Sequence, residues 1–158
     1  MCIRDSYGIT ISANVLADNF GGGVELRDAW GCAVSANTFT IDAVRALWIG
    51  PNSGRITVTG NSFSDSYIGD KARRLGDKNR ATGIILQETT DIVISGNLFS
   101  GLAQQAVRSE GKCRRLAITG NILIDMNRAS EEKLPALNLG QVEDCLIENN
   151  LFEKGLKP

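Results

Sequence analysis

The chain of 158 residues contains no histidine. This absence removes the commonest general base and the commonest metal ligand, so Ser-His-Asp catalysis and histidine zinc sites are excluded within this chain. No apolar run is long enough to span a membrane, and no signal peptide is visible. Neither charge is in excess, since 17 Lys and Arg stand against 18 Asp and Glu. We therefore expect one domain with neither a nucleic-acid nor a membrane partner.

The sequence does contain a short phrase that returns six times: three β-type residues, a polar residue, a small residue, an asparagine and, two positions later, a large apolar residue. The asparagines are Asn14, Asn37, Asn61, Asn97, Asn121 and Asn150, and the apolar residues are Leu16, Phe39, Phe63, Phe99, Leu123 and Phe152. Successive asparagines are 23, 24, 36, 24 and 29 residues apart. A period of this size predicts a solenoid.

Each phrase predicts a strand, a tight bend and a second strand. Alternating apolar residues, such as Ile56 and Val58, indicate a strand with one buried face. At the bend, Gly60 accepts unusual backbone angles and the asparagine tolerates a left-handed conformation. A third strand is predicted about halfway to the next phrase, at 23–26, 46–49, 83–86, 106–109 and 136–139. Each turn therefore has three strands, two constant corners and one corner that takes insertions.

With these repeats, residues 7–155 resemble the right-handed parallel β-helix proteins of the pectate-lyase type. The resemblance implies an all-β solenoid of about six turns, with three parallel sheets around a dry core. It also implies that the six asparagines form a ladder at one corner and that the Phe and Leu residues stack inside. A leucine-rich repeat has a similar period, but its leucine consensus and helical side are absent here.

The two ends of the chain suggest a piece of a longer β-helix. The first six residues, Met-Cys-Ile-Arg-Asp-Ser, resemble the translation of a sequencing-library adapter, so residues 1–6 are expected to be non-native. No amphipathic capping helix precedes the first turn, and the chain stops soon after the sixth asparagine. We expect residues 7–155 to form one domain that is incomplete at both ends, with the missing turns as its nearest partner.

The enzymes that this chain resembles carry their sites outside the barrel, on the sheet that follows the variable corner. That sheet is built here from the third strand of each turn. Its predicted outward column is Glu25, Trp48, Ile85, Arg108 and Asn138, and the next outward column is Arg27, Gly50, Gln87, Glu110 and Gly140. The substrate-binding candidates from these columns are Glu25, Arg27, Trp48, Gln87 and Asn138.

Trp48 has two interpretations that the sequence leaves open. An indole that points out from a flat sheet is a stacking platform for a sugar ring. Alternatively, a long loop covers the indole and makes it secondary core. The large insertion in the very next turn, at 64–82, is compatible with either.

Arg108 and Glu110 are the catalytic candidates. They lie one turn beyond Gln87 and Glu88, and neighbouring turns place such side chains about 5 Å apart, close enough for ion pairing or for binding the carboxylate of a uronic acid. Some β-helix lyases use Arg or Lys to remove the proton next to that carboxylate. The alternative is a solvated sheet face with alternating charges, and no compact pair of carboxylates demands glycoside hydrolysis.

The insertion at 64–82 is polar and basic, and it includes Arg73 and Arg74 as further substrate-binding candidates. A basic loop beside a groove suits an anionic polysaccharide. It is equally compatible with a tolerated insertion that has no role.

Two functions follow from these features. The first is part of an extracellular or periplasmic protein that binds or modifies an acidic polysaccharide, as a lyase, hydrolase or epimerase if it is an enzyme. The second is a non-catalytic shaft whose turns only provide length. No cofactor is evident, and calcium is suggested by the family resemblance alone.

Overall fold

In the computed structural model, residues 1–40, 42–64, 80–128, 134–156 and 158 are described. These residues form short parallel strands without a helix. The strands are β1 (Cys2–Arg4), β2 (Thr10–Ser12), β3 (Val15–Ala17), β4 (Val24–Arg27), β5 (Ala33–Ser35), β6 (Thr38–Thr40), β7 (Arg45–Ile49), β8 (Gly54–Thr59), β9 (Ser62–Ser64), β10 (Thr82–Gln87), β11 (Thr90–Ser95), β12 (Leu98–Ser100), β13 (Val107–Thr119), β14 (Ile122–Ile124), β15 (Leu137–Glu148) and β16 (Leu151–Phe152).

Each strand pairs with the strand one turn away, so the chain winds as a coil with three faces. Sheet 1 contains β1, β4, β7, β10 and the first parts of β13 and β15. Sheet 2 contains β2, β5, β8, β11 and the last parts of β13 and β15. Sheet 3 contains β3, β6, β9, β12, β14 and β16. The predicted parallel β-helix is confirmed.

Two differences from the sequence-based boundaries concern strand length. The third strand of the fourth and fifth turns does not end at the corner, because β13 and β15 continue from sheet 1 into sheet 2. A register shift between Ser109 and Lys112 accommodates the bend.

Residues 2–4, which the sequence assigns to a non-native segment, lie as strand β1 beside β4.

The core fills the space between the three sheets. Its inward residues include Val24, Leu26, Leu47 and Ile49, all completely buried. Three phenylalanines stack along the axis, with ring centroids 4.8 Å apart for Phe39–Phe63 and 4.9 Å apart for Phe63–Phe99. Their planes are nearly parallel, because one residue type repeated at the turn spacing presents the same face to each neighbour. Each such pair adds about 1 kcal/mol beyond the area that it buries.

The six repeated asparagines lie in a row at the corner between sheets 2 and 3. The side-chain Nδ2 of each donates to Oδ1 of the next, at 3.1, 3.0, 3.0, 3.0 and 2.9 Å along the row. Each Oδ1 from the second onward also accepts the preceding asparagine's backbone N–H. The buried amides are thereby satisfied, which a dry corner requires.

The left-handed residue at this bend differs from the expectation. The ladder asparagines do not have positive φ; the residue before each one does. Those residues are Ala13, Ala36, Gly60, Gly96, Gly120 and Asn149, with φ between 53° and 65°. A left-handed residue reverses the chain here and leaves the following asparagine free to point inward.

Candidate functional site

The outer face of sheet 1 carries the predicted outward column in register. Glu25 lies beside Trp48, Trp48 beside Ile85, and Ile85 beside Arg108 on successive strands. Asn138 follows Arg108 on β15. Because parallel strands are about 4.8 Å apart, these five side chains form one continuous row along the helix axis.

The row is divided in its middle by an apolar residue. Ile85 is 4% exposed although it points outward, and Trp48 is 8% exposed. Charged and polar side chains therefore collect in two groups, one on either side of Ile85. We call Glu25, Arg27, Arg45 and Trp48 the tryptophan cluster, and Gln87, Arg108, Glu110 and Asn138 the Arg108 cluster.

In the Arg108 cluster the two catalytic candidates form an ion pair. Arg108 Nη2 lies 2.9 Å from Glu110 Oε1, and both side chains are partly exposed. Gln87 lies beside Glu110 on the neighbouring strand, and Asn138 lies beside Arg108. Planar guanidinium groups bind carboxylates in a two-pronged geometry, so this cluster is suited to holding an acidic group.

In the tryptophan cluster the indole is enclosed. The guanidinium carbon of Arg27 lies 4.5 Å from the Trp48 ring centroid, and that of Arg45 lies 5.5 Å away. On the sheet side the indole lies against Gly50, where an added Cβ would come within 2.4 Å of the ring. In this conformation Trp48 is therefore not an open stacking platform.

Glu25 connects the two arginines of the tryptophan cluster. Its carboxylate accepts a hydrogen bond from Arg45 Nη2 through Oε1. Its Oε2 lies 4.0 Å from Arg27 Nη2. One carboxylate is thus shared between two cations above an aromatic ring, an arrangement in which ion pairing and cation–π attraction act together.

Three buried guanidinium nitrogens on this face have no hydrogen-bond acceptor among the described residues. They are the Nε atoms of Arg27, Arg45 and Arg108. A buried donor without a partner costs free energy, about 1–3 kcal/mol for each group. All three belong to the candidate site on the outer face of sheet 1.

Arg45 was not identified from the sequence. It precedes the predicted strand 46–49, so the period-two pattern assigns it to the corner rather than to the outward column. A signal was present, because Arg45 lies within one turn of the acidic Glu25. Arg73 and Arg74, the two substrate-binding candidates in the insertion, lie outside the described residues.

A second charged row lies at the corner between sheets 1 and 2. Arg55, Asp91, Arg115 and Asp144 occupy equivalent left-handed positions and alternate in sign. Arg115 Nε lies 2.5 Å from Asp91 Oδ1. This hydrogen bond and the Arg115 charge hold the pKa of Asp91 below its ordinary value. The charges of this row neutralise one another, so we interpret the row as protein surface and not as a binding site.

Within the described part of the chain, no three Cys, Asp or Glu side chains are placed to hold a metal ion. The described residues also include no helix long and apolar enough to cross a membrane.

Comparison with known proteins agrees with this geometry. Residues 1–156 match the protein family described as the right handed beta helix region. The chain belongs to the right-handed β-helix family. The family match gives the coil its right-handed sense, and the matched residues include strands of all three sheets.

A solved structure with 16% sequence identity matches this β-helix chain with a TM-score of 0.48. It is the enzymatically active domain of tailspike protein 2 of bacteriophage CBA120. The match covers 96% of this chain and 23% of that chain, so this β-helix spans less than a quarter of the phage domain. No curated protein matches the chain.

Proposed function

We propose that this β-helix is part of an extracellular or periplasmic protein that binds or modifies an acidic polysaccharide along the outer face of sheet 1. The observation that carries the proposal is the placement of Arg27, Arg45 and Arg108 on the outer face of sheet 1, where their side chains are 43%, 24% and 31% exposed. A polyuronate presents one carboxylate per sugar, and guanidinium groups bind carboxylates in a two-pronged geometry. The partly exposed Gln87 and the exposed Asn138 supply further polar contacts for sugar hydroxyls.

The chemistry that this face favours is substrate binding through carboxylates, with Arg108 and Glu110 as the catalytic candidates. Glu110 orients Arg108 through the 2.9 Å ion pair. In a lyase or epimerase reaction the first step removes the proton next to the uronate carboxylate. Cations beside that carboxylate stabilise the charge that develops there. A lyase, an epimerase and a hydrolase remain open as reaction classes for this proposal.

The proposal is tested by measuring binding of polygalacturonate and alginate oligosaccharides by calorimetry. Arg108→Ala is expected to weaken binding about tenfold, the effect of losing one charge-assisted hydrogen-bonding group. Added salt is expected to weaken binding by the wild-type chain. Arg114→Ala is the matched control, because Arg114 lies in the sheet 2 part of β13 and pairs with Glu143 at 3.0 Å. If Arg108→Ala and the wild-type chain bind with equal affinity, the assignment of the binding groove to this face is wrong.

The second candidate is a non-catalytic shaft, and the exterior ion pairs favour it. Arg115 pairs with Asp91, and Arg114 pairs with Glu143, each across one turn. In such pairs each charge is neutralised by a residue of the neighbouring turn and is not available to a ligand. A shaft predicts no affinity for either oligosaccharide, so the same calorimetry separates the two functions.

A further inference from the structure

The Trp48 indole lies between the backbone of its own sheet and two long arginine side chains. On the sheet side the ring lies against Gly50, where the Cβ of any other residue would clash with the ring. Arg27 and Arg45 also lie over the ring, with guanidinium carbons 4.5 and 5.5 Å from the ring centroid. The Arg27 side chain is 43% exposed, so it can swing into solvent without disturbing the core.

Glu25 holds those arginines over the ring. Its carboxylate binds Arg45 through one oxygen and approaches Arg27 with the other. Glu25 lies directly beside Trp48 on the neighbouring strand, and its carboxylate pairs with the same two arginines that lie over the indole. A uronic acid whose ring stacked on Trp48 would place its carboxylate in the same position, between the same two cations.

We infer that Arg27, Arg45 and Trp48 form a subsite for one uronate residue, and that Glu25 occupies it internally as a competing carboxylate. The ligand's carboxylate replaces that of Glu25, Arg27 moves away from the indole, and the sugar ring stacks on the uncovered face. This inference rests on the proposed affinity for acidic polysaccharide and assigns to Glu25 a role opposite to that of a binding residue: it lowers affinity.

The balance of contacts makes the exchange chemically reasonable. Glu25 and the incoming group are both carboxylates, so the ion pairs broken and formed are of the same kind. The Nε donors of Arg27 and Arg45, which have no acceptor among the described residues, can donate to the oxygens of a ligand carboxylate after the arginines reorient. The stacking of a sugar on the indole is an additional contact that Glu25 cannot make.

The chain offers a direct optical test, because it has two tryptophans. In a Trp30→Phe background, fluorescence reports Trp48 alone. Trigalacturonate is the acidic probe, and its fully methyl-esterified form is the neutral control. Glu25→Gln keeps the shape of the side chain and removes its charge. Glu143→Gln, on sheet 2, removes the same charge elsewhere and is the matched control variant.

We expect Glu25→Gln to bind trigalacturonate about tenfold more tightly than the parent, with a change in Trp48 emission on binding. Glu143→Gln is expected to bind like the parent, and the methyl ester is expected to bind weakly to all variants. Arg45→Ala, combined with Glu25→Gln, is expected to abolish the gain. Circular dichroism of each variant verifies that the fold is retained.

Three results would count against the inference, and they separate it from the proposed function. If the parent binds and Arg108→Ala weakens binding, but Glu25→Gln has no effect, the proposed binding groove is supported and the proposed role of Glu25 is wrong. If the Glu25→Gln and Glu143→Gln variants gain equally, the effect is general charge rather than a subsite. If neither the parent nor Glu25→Gln binds, both proposals are wrong.

Discussion

At the scale of single residues, the bend before each ladder asparagine shows how little freedom one position has. Gly60, Gly96 and Gly120 meet its left-handed φ without strain, whereas Ala36 adopts a φ of 53° with a Cβ in place. A left-handed conformation costs an L-residue about 1–2 kcal/mol. The repeat tolerates this cost because the stack of turns on either side fixes the bend.

We predict that Ala36→Gly raises the free energy of unfolding by about 1 kcal/mol, since glycine relieves the strain and only part of the gain is lost to its freer unfolded state. Gly96→Ala provides the mirror experiment. An added Cβ at Gly96 meets no atom within 4 Å, so backbone strain alone should destabilise that variant by about 1 kcal/mol. Urea unfolding measures both, and a destabilised Ala36→Gly would contradict the assignment of strain.

Trp48 shows what residue-level reasoning can and cannot decide about the site. Period-two alternation correctly places its side chain on the outside of sheet 1. Alternation does not reveal that Arg27 and Arg45 cover it, because both are long, flexible side chains whose positions depend on neighbouring turns. Arg45 was missed because the predicted strand begins at residue 46, whereas β7 begins at Arg45.

At the scale of elements, the asparagine ladder joins one turn to the next through side chains as well as backbone. Asn97 is 2% exposed, and its Nδ2 donates to Asn121 Oδ1 at 3.0 Å and to the Val58 carbonyl at 2.9 Å. Its Oδ1 accepts both the backbone N–H and the Nδ2 of Asn61. The corner therefore depends on an unbroken row, in which each member satisfies two neighbours.

We predict that Asn97→Ala lowers the free energy of unfolding by about 3 kcal/mol, because it leaves buried donors and acceptors on both neighbouring turns without partners. The control is Asn14→Ala at the exposed first position, where Nδ2 donates to Asn37 and to the Ser12 carbonyl. That change should cost about 1 kcal/mol or less. Chemical denaturation compares the two, and equal losses would mean that the ladder contributes through something other than buried hydrogen bonds.

At the scale of the whole molecule, the last turn presents core residues to solvent. Ile118 and Ile147 occupy the same inward column in register, yet Ile118 is fully buried and Ile147 is 45% exposed. The reason is that, in the part of the chain that the structure describes, strands pair on both sides of Ile118 and on one side of Ile147. Uncovered strands with apolar inward residues are a template for pairing with another chain.

We predict that the isolated 158-residue polypeptide self-associates with increasing concentration, and that Ile147→Lys reduces this association by placing a charge on the uncovered face. Val93→Lys is the control, since Val93 is 38% exposed on β11, which has paired strands on both sides. Sedimentation velocity over a range of concentrations provides the measurement. Association that both variants reduce equally would point to net charge and not to the last turn.

The sequence by itself determined the coil, because stacked turns place equivalent residues on top of one another and so demand the same residue type at the same position. A large apolar residue recurs in the Phe39, Phe63 and Phe99 column, where Leu16 and Leu123 also occur, and an asparagine recurs at the ladder position. A repeated requirement of this kind is visible in the sequence. It also determined which side chains point out from sheet 1.

Only the tertiary structure decided which outward side chains meet and whether they are open to a ligand. Glu25, Arg27 and Arg45 come from two turns, and their ion pairs above Trp48 depend on long side chains that no repeat constrains. The continuation of β13 around a corner and the left-handed residue before each asparagine were likewise decided by contacts between turns. Core positions are set by packing that every turn repeats, whereas the candidate site depends on what each turn has alone.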